Sequence, residues 1–352
     1  MGSEKLKPGE GRRHLGRKQG RGAMRNIARY LLVISAVIFF TLIATVKIYP
    51  ELSPYPKISQ WNYHQLKRID KSKREFSFVV FGDNRGSVEL FPKLLKKVDE
   101  ENALFAVHNG DLVDNGEKER YRLFINQIKK MNTPLLIVIG NHELKKNGRG
   151  LYYDLFGRFY YSFTVGDSYF ILLDNANWRN IDPWQMDWLK KELEKSKDYR
   201  YRFVFMHVPL YDPRKGKNQK GHSLKDLNFA KKLNALLDRY EITMLFASHI
   251  HGYYKGVWGK TPYIITGGAG APLEEDRNPK HYFYHYIRVT VRENGVNYQV
   301  VRISPPRYEA LSNFLYALWM KTYIALRRNF WQSIAIFVLA YLVIFSRMTR
   351  KR

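Results

Sequence analysis

Leu135-Leu136-Ile137-Val138-Ile139-Gly140-Asn141-His142-Glu143 is an apolar run that stops at a glycine and then presents an amide, an imidazole and a carboxylate. Bounded by Pro134 and Gly140, it reads as a strand covered on both faces, and open α/β sheets bind ligands just beyond the carboxyl ends of such strands. Two other stretches share this grammar. Phe76 to Phe81 runs into Gly82-Asp83-Asn84-Arg85, and Leu104 to Val107 runs into His108-Asn109-Gly110-Asp111-Leu112-Val113-Asp114.

Further along, Phe203 to Met206 delivers His207, and Met244 to Ser248 delivers His249 and His251. The candidates are therefore Asp83, Asp111, Asn141, His207, His249 and His251. Carboxylate, carboxamide and imidazole donors suit Mn, Fe or Zn rather than calcium, whose sites are nearly all oxygen. An aspartate can bridge two ions about 3.5 to 4 Å apart, the spacing of two-metal hydrolases, which polarise a phosphoryl oxygen and generate hydroxide at neutral pH. Taken singly, a histidine at a strand end is more often structural, and an aspartate after glycine is usually a turn residue. Their recurrence at five strand ends outweighs those readings.

Between the strands lie helical faces: Leu90, Leu94, Leu95 and Val98; Tyr121, Phe124, Ile125 and Ile128; Leu227, Ala230, Leu233, Leu236 and Leu237. The runs Tyr169 to Leu173, Phe203 to Met206 and Met244 to Ala247 complete an α/β order without internal repeats.

In a chain of 352 residues, 45% apolar content can fill a large core, while the formal charge of +27 is unevenly spread. Met1 to Asn26 holds eight Lys or Arg against two Glu, and Arg347, Arg350, Lys351 and Arg352 close the chain. These tails flank the two most hydrophobic segments, uncharged Tyr30 to Val46 and Asn329 to Ser346. Each is read as a membrane span, and a signal peptide is the alternative for the first, although no clean cleavage site follows it. Cations outside both spans put both termini in the cytoplasm and the middle of the chain on the extracytoplasmic side, in a two-pass cell-membrane arrangement. With no cysteine, disulfides, thiolate metal sites and cysteine nucleophiles are excluded.

Gly82-Asp83, Gly110-Asp111-Leu112-Val113-Asp114, Gly140-Asn141-His142-Glu143, Met206-His207 with Pro209, and His249-Ile250-His251 resemble the five signature blocks of the calcineurin-like metallophosphoesterase superfamily. Phe159 to Phe163, Phe170 to Asp174, Gln185 with Trp188-Leu189, and Gly267 to Gly270 are similar to bacterial relatives of the purple acid phosphatases. The resemblance implies a four-layer α/β/β/α sandwich of two mixed sheets holding two divalent metal ions. It gives Asp83, Asp111 and His251 to the first metal, Asp111, Asn141, His207 and His249 to the second, and a proton-donor role to His142. Asp114 and Glu143 are expected to orient imidazoles.

One position departs from the pattern. Many members place a histidine two residues after the first aspartate, where this chain has Arg85, whose guanidinium cannot ligate a cation. Either the first site loses a protein ligand to water or Arg85 grips a substrate phosphate oxygen; the second is favoured.

The expected organisation is a basic disordered tail over 1–26, a transmembrane helix over 27–48, a linker over 49–73, the metallophosphoesterase domain over 74–303, a membrane-proximal helical linker over 304–328, a second transmembrane helix over 329–346 and a basic tail over 347–352. The expected activity is hydrolysis of a phosphate ester, mono- or diester, by metal-bound hydroxide, with lipid- or glycolipid-linked esters suggested by tethering to the bilayer. The loop Asp212 to Asp226, with Arg214, Lys215, Lys217, Lys220 and His222, is expected to overhang the site. Rivals are a membrane-tethered binding or scaffolding protein on the same fold, supported by Arg85, and below it a nuclease. Nucleic acid is not an expected partner, because no run of basic and stacking residues forms a strand-tracking groove.

Overall fold

Apolar runs become strands here because helices or a second sheet cover both their faces. The computed structural model describes residues 10–215, 217–273 and 278–349, so the expected tail residues 1–9 and 350–352 lie outside the described residues. In chain order the elements are α1 (Glu10–Leu52), α2 (Trp61–Leu66), β1 (Phe76–Phe81), α3 (Leu90–Glu100), β2 (Phe105–His108), α4 (Lys118–Ile128) and β3 (Leu135–Ile137). Next come α5 (Asn141–Leu144), α6 (Arg149–Phe156), β4 (Tyr161–Val165), β5 (Ser168–Leu172), α7 (Pro183–Lys195), β6 (Tyr201–Phe205), α8 (Leu227–Leu237) and β7 (Met244–Ala247). The chain finishes with β8 (Tyr253–Trp258), β9 (Thr261–Thr266), β10 (His285–Arg292), β11 (Gly295–Arg302), α9 (Glu309–Arg328) and α10 (Phe330–Thr349).

Residues 56–317 form one unit. One of its sheets has the order β11-β10-β1-β2-β3, and the other β4-β5-β6-β7-β9-β8. Both are mixed: β1, β2 and β3 are parallel while β10 and β11 are antiparallel, and β5, β6, β7 and β9 are parallel while β4 and β8 are antiparallel. The interior between the sheets is aromatic. Phe78 stacks on Phe105 at 5.2 Å, and Phe170 stacks on Phe163 and Phe203 at 4.7 and 5.1 Å. Strand alternation turns Phe81 the other way, against Phe91 of α3 at 6.1 Å, while Val204, Leu245 and Ile265 face the apolar side of α7 and α8. Complete burial of each such side chain contributes about 1.5–3 kcal/mol. Two mixed sheets with helices outside is the expected sandwich.

The strand at residue 135 is shorter than expected. Val138 still donates to the His108 carbonyl at 2.9 Å, but the chain then peels away to bring Gly140 against Asp111.

The second unit comprises residues 1–55 and 318–352. Its described helices pack through Phe39 stacked on Phe337 at 3.9 Å, Tyr49 against Tyr323 at 4.9 Å, and the Lys47 ammonium over the Phe330 ring at 4.4 Å. Asn26–Leu52 and Phe330–Met348 are long and apolar enough to cross a membrane. The helix extends back to Glu10, where disorder was expected up to residue 26. Once an apolar segment nucleates a helix, each added residue gains a hydrogen bond without a new nucleation cost.

Candidate metal centre

Every candidate ligand stands on the turn that follows a strand. Asp83 follows β1, Asp111 follows β2, Asn141 opens α5 after β3, His207 follows β6, and His249 and His251 follow β7. Asp83, Arg85, Asp111 and His249 all take left-handed backbone, with φ of 61°, 41°, 58° and 71°. For side-chain-bearing residues this costs on the order of 1 kcal/mol each and persists only where the surroundings enforce it.

At Asp111 two glycines let the turns close this tightly. A Cβ on Gly140 would lie 2.2 Å from the Asp111 amide nitrogen, and one on Gly110, at φ 90°, would lie 2.8 Å from the Gly140 Cα. The β2 and β3 turns thus interlock backbone against backbone. Glu143 closes the joint: its Oε2 accepts from the amides of Asp111 and Gly140 at 2.9 and 2.8 Å, and its Oε1 accepts from Leu112 and Val113 at 2.9 and 3.3 Å. Burial and the Asp111 carboxylate push this carboxyl up to about 8, against the pull of His207 and of the Gly140 and Val113 amides.

The ligand atoms converge. One donor atom each from Asp111, His207 and His249 lie within 4.8 Å of one another. His207 Nδ1 faces the Asn109 carbonyl at 2.8 Å, which turns Nε2 toward Asn141 Oδ1 at 2.9 Å, Asp111 Oδ1 at 3.2 Å and His249 Nδ1 at 3.2 Å. Burial alone would lower His207, yet the Asp111 carboxylate and its hydrogen bond raise it to about 9, so the donors call for a positive charge at that point.

Asp83 and His251 form the neighbouring group. Asp83 Oδ2 accepts from Ser248 Oγ and from the His249 amide at 2.8 Å, while Oδ1 is buried without a hydrogen-bond partner, 3.7 Å from His251 Nε2. His251 Nδ1 is taken by the Pro272 carbonyl at 2.7 Å. An orphaned carboxylate oxygen and an imidazole nitrogen at this spacing fit one shared cation at metal-ligand distances of about 2.0–2.2 Å. The nitrogen and oxygen donor set, without sulfur, fits divalent first-row ions.

The flanking groups differ from expectation in two ways. Glu143 bonds amides rather than an imidazole. The Asp114 carboxylate pairs with Arg85 at 3.4 Å and Arg120 at 3.3 Å, and only its carbonyl faces His142 Nδ1, at 2.7 Å. The acidic side chains here are used to hold turns and cations, because backbone carbonyls already orient His142, His207 and His251. His142 itself is pulled down to about 4 by burial and by Arg85 and Lys145, despite Asp111, and Lys145 Nζ lies 2.8 Å from its Nε2.

A cavity of about 560 Å³ opens above the ligands, lined among others by Arg85, His142, Lys145, Trp178, His222 and Lys225. Trp178, itself at φ 67°, and His222 stand at right angles to the His249 ring, with centroids 4.1 and 4.2 Å away. Of the loop Asp212 to Asp226, His222 and Lys225 reach the cavity. Arg214 instead folds back onto Asp212 through two bonds of 2.8 Å. Lys145, Trp178 and Ser248 escaped the sequence reading. Lys145 stands two residues past Glu143, and that adjacency to a signature block was the available signal.

A family model described as calcineurin-like phosphoesterase matches residues 76–253. A probable glycerophosphodiester phosphodiesterase of Arcobacter nitrofigilis is 26% identical over 181 residues, 48% of this chain and 63% of that protein. Purple acid phosphatase 23 of Arabidopsis thaliana is 26% identical over 165 residues, 40% of this chain and 35% of that protein. The match therefore spans less than two thirds of either relative. Among solved structures, the purple acid phosphatase from seeds of yellow lupin (Lupinus luteus) superposes with a TM-score of 0.51 at 18% identity, covering 68% of this chain and 55% of that one.

Proposed function

The chain belongs to the calcineurin-like phosphoesterase family, and on that premise we propose that it is a membrane-anchored dinuclear-metal hydrolase of phosphate esters. The observation that carries this reading is the convergence of Asp111, His207 and His249, beside the partnerless Asp83 Oδ1, at the floor of a cavity. Asp83, Asp111 and His251 would hold one ion and Asp111, Asn141, His207 and His249 the other. Two divalent ions bound there would supply the nucleophile from water and polarise the phosphoryl group.

The chain's own residues do the rest. Arg85, fixed by its pair with Asp114, directs a permanent cation into the cavity, where it stabilises charge on the phosphoryl oxygens. His142 and Lys145 act as one unit at the leaving oxygen. With His142 neutral, the proton held between its Nε2 and the Lys145 ammonium is the one available for transfer. Lys225 and His222 line the same cavity and suit the remaining negative charge of an anionic ester.

Cations are denser on the outer side of both helices long enough to cross a bilayer, with eight Lys or Arg in residues 1–26 against Lys47 at the first and Arg347, Arg350, Lys351 and Arg352 against Arg327 and Arg328 at the second, which favours termini in the cytoplasm and the phosphoesterase domain across the membrane. A binding protein on the same fold is the alternative, and Arg85 in place of a first-metal histidine is the one residue that supports it. The deciding experiment assays detergent-purified full chain against phosphate mono-, di- and pyrophosphate esters with Mn, Fe, Zn or Mg. Metal-dependent turnover that vanishes in Asp111→Asn supports the hydrolase, and stoichiometric metal without turnover of any ester supports the binder.

A further inference from the structure

Beside the metal cavity lies a second hollow of about 510 Å³, and Arg85 lines both. Its walls are the turn after β1, the Gly270–Pro272 segment, the prolines at 305 and 306, and the first turns of α9. Ala271, Pro272, Pro306, Ala310, Phe314 and Tyr316 supply its apolar lining; Arg85 and Asp114 pair with each other at one side, and Glu309 and Asn313 of α9 are engaged by the turn after β1. Phe314 is 63% exposed, and Leu311 and Leu315 on the same helix are more than half exposed, an unusual concentration for a surface in water.

We propose that this groove takes the hydrocarbon chain of an amphiphilic phosphate ester whose headgroup reaches the metal ligands past Arg85. The inference rests on the hydrolase reading and names its substrate class. Three features select a chain as the occupant. The groove and the cavity lie on either side of Arg85, which lines both, so one molecule passing this side chain can reach both. Its volume is in the range of small-ligand sites. It sets the Arg85 guanidinium at the side shared with the metal cavity beside the apolar side chains of Ala310, Phe314 and Ala317 on α9, a pairing that suits a charged headgroup joined to a hydrocarbon tail. The same protein carries two helices of membrane-spanning length, which would hold it where such esters reside.

The test uses the full chain in detergent with p-nitrophenyl phosphate and p-nitrophenyl alkyl diesters from ethyl to decyl, below their micelle concentrations. Burial of each methylene predicts a rise in kcat/KM of about two- to fourfold per CH2 until the groove is full. Ala310→Trp, which fills the groove without touching the metal cavity, abolishes this chain-length dependence and leaves p-nitrophenyl phosphate hydrolysis unchanged. Independently of turnover, decyl phosphate with a terminal diazirine is photolysed on metal-stripped protein, and the label is expected within residues 305–317. Hydrolysis of p-nitrophenyl phosphate with no chain-length dependence, or labelling confined to other segments, overturns the groove assignment. Failure to hydrolyse every ester sinks the hydrolase reading instead, and the labelling arm then decides the groove alone.

Discussion

Asp111 is the residue on which the centre turns. Its Oδ1 accepts from the His142 amide at 2.9 Å and faces His207, and its backbone is locked by Gly140 and Glu143. Asp111→Asn keeps shape and removes charge, so turnover should fall at least a hundredfold with little loss of stability, as read by steady-state kinetics beside a melting curve. Lys145→Met tests the proton unit. Loss of a positioned proton donor typically costs 10²- to 10⁴-fold, and most of that loss should fall on esters with poor leaving groups and little on p-nitrophenyl esters, whose phenolate needs no protonation. Equal loss for both would assign Lys145 to binding instead. His285, outside the centre, is fully buried with Nδ1 facing the Phe283 carbonyl, and burial lowers it to about 4. In the unfolded chain it takes a proton near pH 6.5, so between pH 6.5 and 4 the unfolded state binds more protons and stability falls with pH, by about 3 kcal/mol for this group. Urea titration at pH 7 and 4.5 should show that drop shrink in His285→Gln.

Among the elements, the contact of α9 with the turn after β1 is the informative one. Buried Glu309 accepts from Ser87 Oγ at 2.6 Å and from the amides of Glu89 and Leu90 at 3.1 and 2.7 Å, capping α3 from outside it, while Asn313 Oδ1 accepts from the Val88 amide at 2.9 Å. Glu309→Ala strands these donors and should lower stability by about 2 kcal/mol, measurable by denaturant unfolding. The turn that carries Arg85 is thereby held by a helix more than two hundred residues away in sequence. No local pattern announces that contact, and the same holds for much of what the sequence left unread. Phe76 to Phe81 and Phe203 to Met206 were legible as strands because burial on both faces leaves an unbroken apolar run. In β8, only Tyr254 and Trp258 are buried and Lys255 to Val257 are exposed, so an edge strand paired on one side leaves no such run. The ligands were legible because each is a polar residue at the end of an apolar run. Lys145 and Trp178 were not, since a lysine on a surface turn and a tryptophan in a loop look ordinary until the turns close around His142 and His249.

For the molecule as a whole, sidedness can be measured directly because the chain has no cysteine. In intact cells a membrane-impermeant maleimide should label Asp187→Cys in the folded domain and spare Ser3→Cys near the N-terminus; the reverse pattern would invert the topology. Chelation is the other whole-molecule test. Ions at one hundred times their dissociation constant add about 2.7 kcal/mol, or roughly 5–10 °C in a domain of this size, so metal-stripped protein should melt lower by that amount yet remain folded. That expectation follows from Glu143, whose four amide bonds fix the Asp111 turn by covalent chain and hydrogen bond alone. The cradle is built before its contents arrive. Samples grown in different media should then carry different ions in the same mould, with supply rather than assembly deciding which element the molecule works with.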